Sequence, residues 1–120
     1  MKPVIENTSF GSITISGETY DHDVVIDLEG IVKKRKKKLS KEVYGTSHKV
    51  SLAEAKFIMN KNTDMVIIGN GQYGALELSD EAREYFSKHN CKIRQLQTPD
   101  AIREWNKESG KVVGMFHVTC

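Results

Sequence analysis

From Ser51 onward the apolar pattern alternates between a helical and an extended period, and this constrains the fold more than any other feature of the chain. Ser51-Leu52-Ala53-Glu54 has the form of a capping box, in which Ser51 caps the Glu54 amide and Glu54 reaches back. Leu52, Ala55, Ile58 and Met59 then share a helical face. Asp64–Gly69 is a strand apolar on both faces. Ser79 caps a second helix with Asp80 and Glu81 in its first turn and Ala82, Tyr85, Phe86 and His89 at helical spacing. Cys91–Gln97 is extended again. Thr98-Pro99 opens a third helix with the stripe Ala101, Ile102 and Trp105, which Gly110 ends, and Val112–Thr119 is a last strand. A strand–helix–strand order requires a right-handed crossover, so 64–69 and 91–97 are expected to lie parallel.

The first third reads differently. Phe10–Ser16 alternates, with Ile13 and Ile15 on one face, and Gly17 closes it. Residues 18–22 read as a connector, Asp23–Leu28 as a β-branched strand, and Ile31-Val32 as a third strand after the Glu29-Gly30 turn. Such a meander must join the sheet antiparallel or form a small layer of its own. Leu39–Lys49 shows no period and reads as a loop turned at Gly45. The expected architecture is one α/β domain over residues 1–120: a mixed sheet with helices packed on it.

Net charge is only +2, although Lys33-Lys34-Arg35-Lys36-Lys37-Lys38 supplies six cations, so the rest of the chain is mildly acidic. A charged edge strand that blocks sheet-to-sheet association accounts for the run. It carries no interleaved aromatics, so any nucleic-acid binding is expected to be weak and unspecific. The longest uncharged apolar run, Met65–Ile68, is far short of the ~20 residues of a spanning helix, and no signal-peptide pattern opens the chain. Cys91 and Cys120 read as free thiols. The expected compartment is the cytoplasm, with no membrane association.

Gly69-Asn70-Gly71-Gln72-Tyr73-Gly74 matches the dinucleotide fingerprint by letter. Its context does not: Ala75–Leu78 intervene before the helix, and Gln97 and Thr98 stand where an acidic ribose partner belongs. A turn with positive φ is the plainer reading. A ligand site remains open there, because the loop and the helix start at Thr98 share the sheet edge that binds ligands in open α/β sheets. Gly69, Asn70, Gly71, Gln72, Tyr73, Gly74 and Thr98, with His48 as a loop contact, are therefore the candidate ligand-binding residues, suited to a small polar or weakly anionic molecule. Asp21-His22-Asp23 reads as a polar turn, and His117 and Cys120 diverge on a strand, so neither supplies a metal set. Folding without metal or cofactor is expected, and no catalytic residues are read.

Several segments, in order and spacing, resemble the Mth-domain family: Phe10-Gly11-Ser12-Ile13, Gly45-Thr46-Ser47-His48, Val66–Gly71, Gln97–Ala101 with Asn106, and Gly114–Cys120. The resemblance implies a mixed five-stranded sheet, helices beside it and a small extra antiparallel β layer. It implies no established activity. An assembly factor within that family implies a binding or scaffolding role, so a non-enzymatic binding or assembly module with a protein partner, or a homodimer, is the leading expectation. The alternative is a small-molecule-binding domain or enzyme with its site at Gly69–Gly74.

Overall fold

A computed structural model describes residues 2–120. Its strands and helices run, in order, β1 (Ile5–Ser9), β2 (Ser12–Ile15), β3 (Glu18–Tyr20), β4 (Val24–Ile26), β5 (Val32–Lys34), α1 (Lys38–Tyr44), β6 (Lys49–Val50), α2 (Leu52–Ile58), β7 (Met65–Asn70), β8 (Glu77–Leu78), α3 (Asp80–Lys88), β9 (Lys92–Leu96), α4 (Thr98–Lys107) and β10 (Val112–His117). Five strands form the main sheet in the order β5-β4-β10-β7-β9. β7 pairs parallel with both β9 and β10, whereas β4 pairs antiparallel with β10 and with β5. The parallel β7–β9 pair follows from the α3 crossover, as the alternation predicts. β1-β2-β3 make a separate antiparallel layer, and β6-β8 a short parallel pair. The N-terminal strands thus take both routes open to them: β4 and β5 extend the sheet, and β1–β3 stand apart.

The central strands are apolar up to their last residues, Asn70 on β7 and His117 on β10, because both of their faces are covered. Val66, Ile68, Val113 and Met115 pack with Ala55, Ile58, Ala82 and Phe86 on the α2–α3 side. Ile67, Val112 and Phe116 point the other way, to Ala101, Ile102 and Trp105 of α4 and to Ile5, Ile13 and Ile15 of the small layer. Each face receives alternate residues, as the pleat requires. Gly114 makes room for this second core, since a Cβ there would lie 2.6 Å from the Phe116 ring and 3.0 Å from Trp105. No helix among the described residues is long and apolar enough to cross a membrane.

The structure corrects the sequence reading at several points. Residues 38–44 are helical, ended by Gly45 at φ 72°. Their only buried residue is Ser40, so no apolar stripe announces the helix. Ile5–Ser9 and Glu18–Tyr20 are strands where no strand and a connector are expected. Leu52 and His89 face solvent rather than the core. Ser51 and Ser79 do cap their helices, accepting from the Glu54 and Ala82 amides at 3.2 and 3.1 Å. Glu54 does not reach back to complete the box. Its carboxylate turns into the protein, and that turn begins the candidate site.

Candidate functional site

The cationic run crosses an element boundary. Lys33 and Lys34 end the edge strand β5, Lys38 begins α1, and Arg35 to Lys37 lie between. The five lysines are exposed, in keeping with a solvated edge, but Arg35 is only 4% exposed. Arg35 lies just past the end of β5, where its amide is pinned to the Asp23 carbonyl at 3.0 Å and its side chain turns inward. Inside, its guanidinium forks onto Glu54 through Nε and Nη2, donates to Asp23 Oδ2 at 2.8 Å through Nη1, and to the Ser47 carbonyl at 2.7 Å through Nη2. Ser40 Oγ also donates to Glu54, and accepts from the Ser51 amide at 2.9 Å. One ion pair with hydroxyl support therefore ties β5, α1 and α2 together. A planar guanidinium suits this forked geometry in a way that lysine does not.

Asp23, which follows the bend at residues 21–22, is the second centre. Oδ2 also receives His117 Nδ1 at 2.7 Å, and Oδ1 receives the Val118 amide at 2.8 Å. Because a carboxylate only accepts, Nδ1 of His117 carries the proton. Thr119 Oγ1 lies 3.2 Å from Nε2 of the same ring. Burial alone would push the Asp23 carboxyl up. The His117 hydrogen bond and charge, the Val118 amide and Arg35 outweigh it and hold the carboxyl down at about 2. Burial likewise disfavours the Arg35 charge, and Glu54 and Asp23 more than offset it, leaving its pKa above the ordinary value.

The Asp23 shift has a pH consequence. A carboxyl depressed from 3.8 to about 2 on folding stabilises the protein fully above pH 3.8, and that contribution is lost as pH falls toward 2. The shift corresponds to about 2 kcal/mol. Urea unfolding at pH 5 and at pH 2.5 is expected to show a larger acid-induced loss in the native chain than in Asp23→Asn. Equal losses would mean that Asp23 titrates normally.

A basin of about 140 Å³ opens beside this network, lined by His22, Asp23, Lys34, Arg35, Lys37, Ser47, His117 and Thr119 together with Asp21 and Val118. None of the sequence-predicted candidates, Gly69–Gly74, Thr98 and His48, lines it. Gly71 has φ 110°, and a Cβ there would meet the Cys120 carbonyl carbon at 2.2 Å and His117 Cδ2 at 3.0 Å. The loop wraps the chain's own residues 119–120: the Gln72 and Ala75 amides donate to the Thr119 and Cys120 carbonyls at 2.7 and 2.8 Å. Thr98 Oγ1 accepts from the Gly71 amide at 2.9 Å and donates to the His117 carbonyl at 2.7 Å. Gly69 packs on Thr98 and Phe116, and Gly74 beside Gln97 and Asn70. The exposed His48 ring stands edge-on to His117, centroids 5.4 Å apart. Gly71, Thr98 and His48 therefore converge on His117, whereas Tyr73 projects outward, 74% exposed, against Phe10.

The sequence reading missed Arg35, Glu54, Asp23 and His117 as a unit. Its one available signal was the lone arginine among five lysines. Among the described residues no three of His, Cys, Asp and Glu are grouped to hold a metal ion.

The family model described as a protein of unknown function (DUF498/DUF598) matches residues 5–117. The chain belongs to this family. The DUF498/DUF598 chain is 31% identical to a conserved hypothetical protein of Pyrococcus horikoshii OT3, with a TM-score of 0.91 and all of both chains covered. It is also 31% identical to the protein MT938, with a TM-score of 0.85 over 99% of this chain and 100% of that one. A Bordetella pertussis protein described as a Mth938-like domain shares the fold at 16% identity, with a TM-score of 0.64 over 97% and 85% of the two chains. The resemblance drawn from Phe10, Gly45–His48, Val66–Gly71 and Gly114–Cys120 is thus shown, as is the five-stranded mixed sheet with its extra β layer. The function of this DUF498/DUF598 chain is uncharacterised, like the family's.

Proposed function

We propose that the chain is a non-enzymatic binding or assembly module that engages a protein partner through an aromatic pair held on rigid loops. The observation that supports this is the placement of Phe10 and Tyr73. They are 59% and 74% exposed with ring centroids 6.2 Å apart. Aromatic side chains left in water lose apolar burial, and they are the residues that dominate protein interfaces. Both turns are braced on one segment: the Gly11 amide donates to the Val118 carbonyl at 2.8 Å, the Gln72 amide to that of Thr119, and Gln72 Nε2 to Thr8 Oγ1 at 3.0 Å. Preorganised rings forfeit little conformational entropy on docking. A reducing compartment such as the cytoplasm suits Cys91 and Cys120, which are unbridged, with burial raising the Cys91 thiol to about 11.

The test compares the native chain with Phe10→Ser/Tyr73→Ser as bait in native lysate. Partners are expected on the first and not the second, with circular dichroism and Tm preserved. A native chain that comes down alone, and that sediments as a monomer at high concentration, would remove the proposal.

A second reading puts a small polar ligand at Gly69–Gly74, with Thr98 and His48 as flanking contacts. It is favoured by Asn70 Oδ1, which is buried beside Gly74 without a hydrogen-bond partner among the described residues. Metabolite titration that leaves the 69–74 and Thr98 amide signals unmoved would discard it.

A further inference from the structure

The basin beside His117 carries chemistry that neither reading uses. Its floor is the Arg35–Asp23–His117 network, and its rim carries Lys34 and Lys37, both exposed. Four of the five guanidinium hydrogens of Arg35 are taken by Glu54, Asp23 and Ser47, which leaves one Nη1 hydrogen without a partner among the described residues. His22 Nδ1 lies 2.9 Å from the Asp23 carbonyl. A carbonyl only accepts, so that nitrogen is the donor, and in the neutral ring Nε2 is an acceptor. The Thr119 hydroxyl also lines the basin, with its hydrogen directed at His117 Nε2.

The charges decide what fits. At the floor Asp23 offsets Arg35, while Glu54, which also bonds Arg35, does not line the basin. At the rim, Lys34 and Lys37 face the single exposed carboxylate of Asp21. Among the residues that line the basin the balance is therefore one positive charge, Lys34, Arg35 and Lys37 against Asp21 and Asp23, and the hydrogens offered to a ligand are those of the two ammonium groups and the remaining Arg35 Nη1 hydrogen. A single negative charge is matched there. A dianion would place its second charge against Asp21 and Asp23, where like charges at short range are repelled. A volume of about 140 Å³ holds a head group of a few heavy atoms and no nucleotide.

We propose that this basin is a binding site for a small monoanionic carboxylate, held between the Lys34 and Lys37 ammonium groups and the remaining Arg35 donor. The site does not depend on the aromatic-pair reading. It would serve equally a free organic acid or the acidic side chain of a docked partner, and the chemistry at the basin is the same.

The test uses the isotope-labelled full chain and three probes at constant ionic strength: acetate, lactate and inorganic phosphate. Acetate or lactate is expected to move the Ser47, Val118 and Thr119 amide signals saturably. Phosphate is expected to bind more weakly at pH 8, where it is mostly dianionic. The variant Lys34→Gln/Lys37→Gln alters two exposed side chains outside the buried network, so its spectrum is expected to keep the native dispersion. Its carboxylate Kd is expected to rise about tenfold, equivalent to ~1.4 kcal/mol. The absence of saturable shifts up to ~100 mM carboxylate, affinity unchanged in the double variant, or tighter binding of phosphate would each overturn the proposal. If the small acids bind to the native chain and the aromatic-pair bait recovers nothing, this site stands while the partner reading falls.

Discussion

Glu54→Ala is expected to destabilise the fold by about 3–5 kcal/mol, a large share of the 5–15 kcal/mol of a typical domain. The variant leaves the Arg35 guanidinium buried without its main counter-charge, and leaves Ser40 Oγ without its acceptor. Two mechanisms add: an uncompensated buried charge and a lost contact between α2 and the α1–β5 connection. Urea unfolding monitored by Trp105 fluorescence measures the loss. Removing both charges with Arg35→Met/Glu54→Leu is expected to cost markedly less than the sum of the single changes, because a buried pair can be replaced by apolar packing where a half-pair cannot stay. Additive losses in the double variant would mean that Glu54 contributes packing rather than charge.

The second large effect is expected at Trp105, on the opposite face of the sheet. Trp105→Ala should cost about 3–5 kcal/mol, the range for emptying a large aromatic from a core. Its ring is fully buried, stands edge-on to Phe116 with centroids 5.8 Å apart, and fills the space that Gly114 leaves open. Indole Nε1 donates to the Pro3 carbonyl at 2.9 Å, so the same residue ties the N-terminal segment to α4. Thermal unfolding should show a fall of roughly 10–20 °C in Tm, accompanied by faster proteolysis near the N-terminus. A loss below ~1 kcal/mol would mean that the small β layer closes over the cavity. Phe116 and Gly114 lie on β10, so a collapse there would have to displace the centre of the sheet.

The C-terminal two-thirds of the fold was legible because helix and strand periods interrupt each other there, each with its own cap. Ser79 with Ala82, and Pro99 at the start of α4, are local signals that tertiary structure did not override. α1 was not legible, because Lys38–Tyr44 buries only a serine and owes its position to that serine's bonds with Glu54 and Ser51. The site was concealed for a related reason. Arg35 reads as one more cation in a run, Asp23 as one more polar residue before a strand, and Glu54 as half of a capping box. Their meeting joins positions far apart in the chain, and no periodicity encodes a contact between residues 23 and 117. The turn at Gly71 was legible from its glycine. What fills it, the backbone of Cys120, was not.

The sheet order places β10, the last strand in sequence, between β4 and β7. A ribosome therefore releases both flanks of the sheet before the strand that joins them. Until that strand arrives, β4 and β7 each present an open edge of valine and isoleucine to the cell, the kind of edge on which other chains add. Pairing β10 with β4 also closes a loop of most of the chain's length, so the entropy of that closure is met before the pairing is rewarded. Lys33 and Lys34 lie on β5, so the outer edge of that flank is charged while its inner edge, on β4, waits for β10.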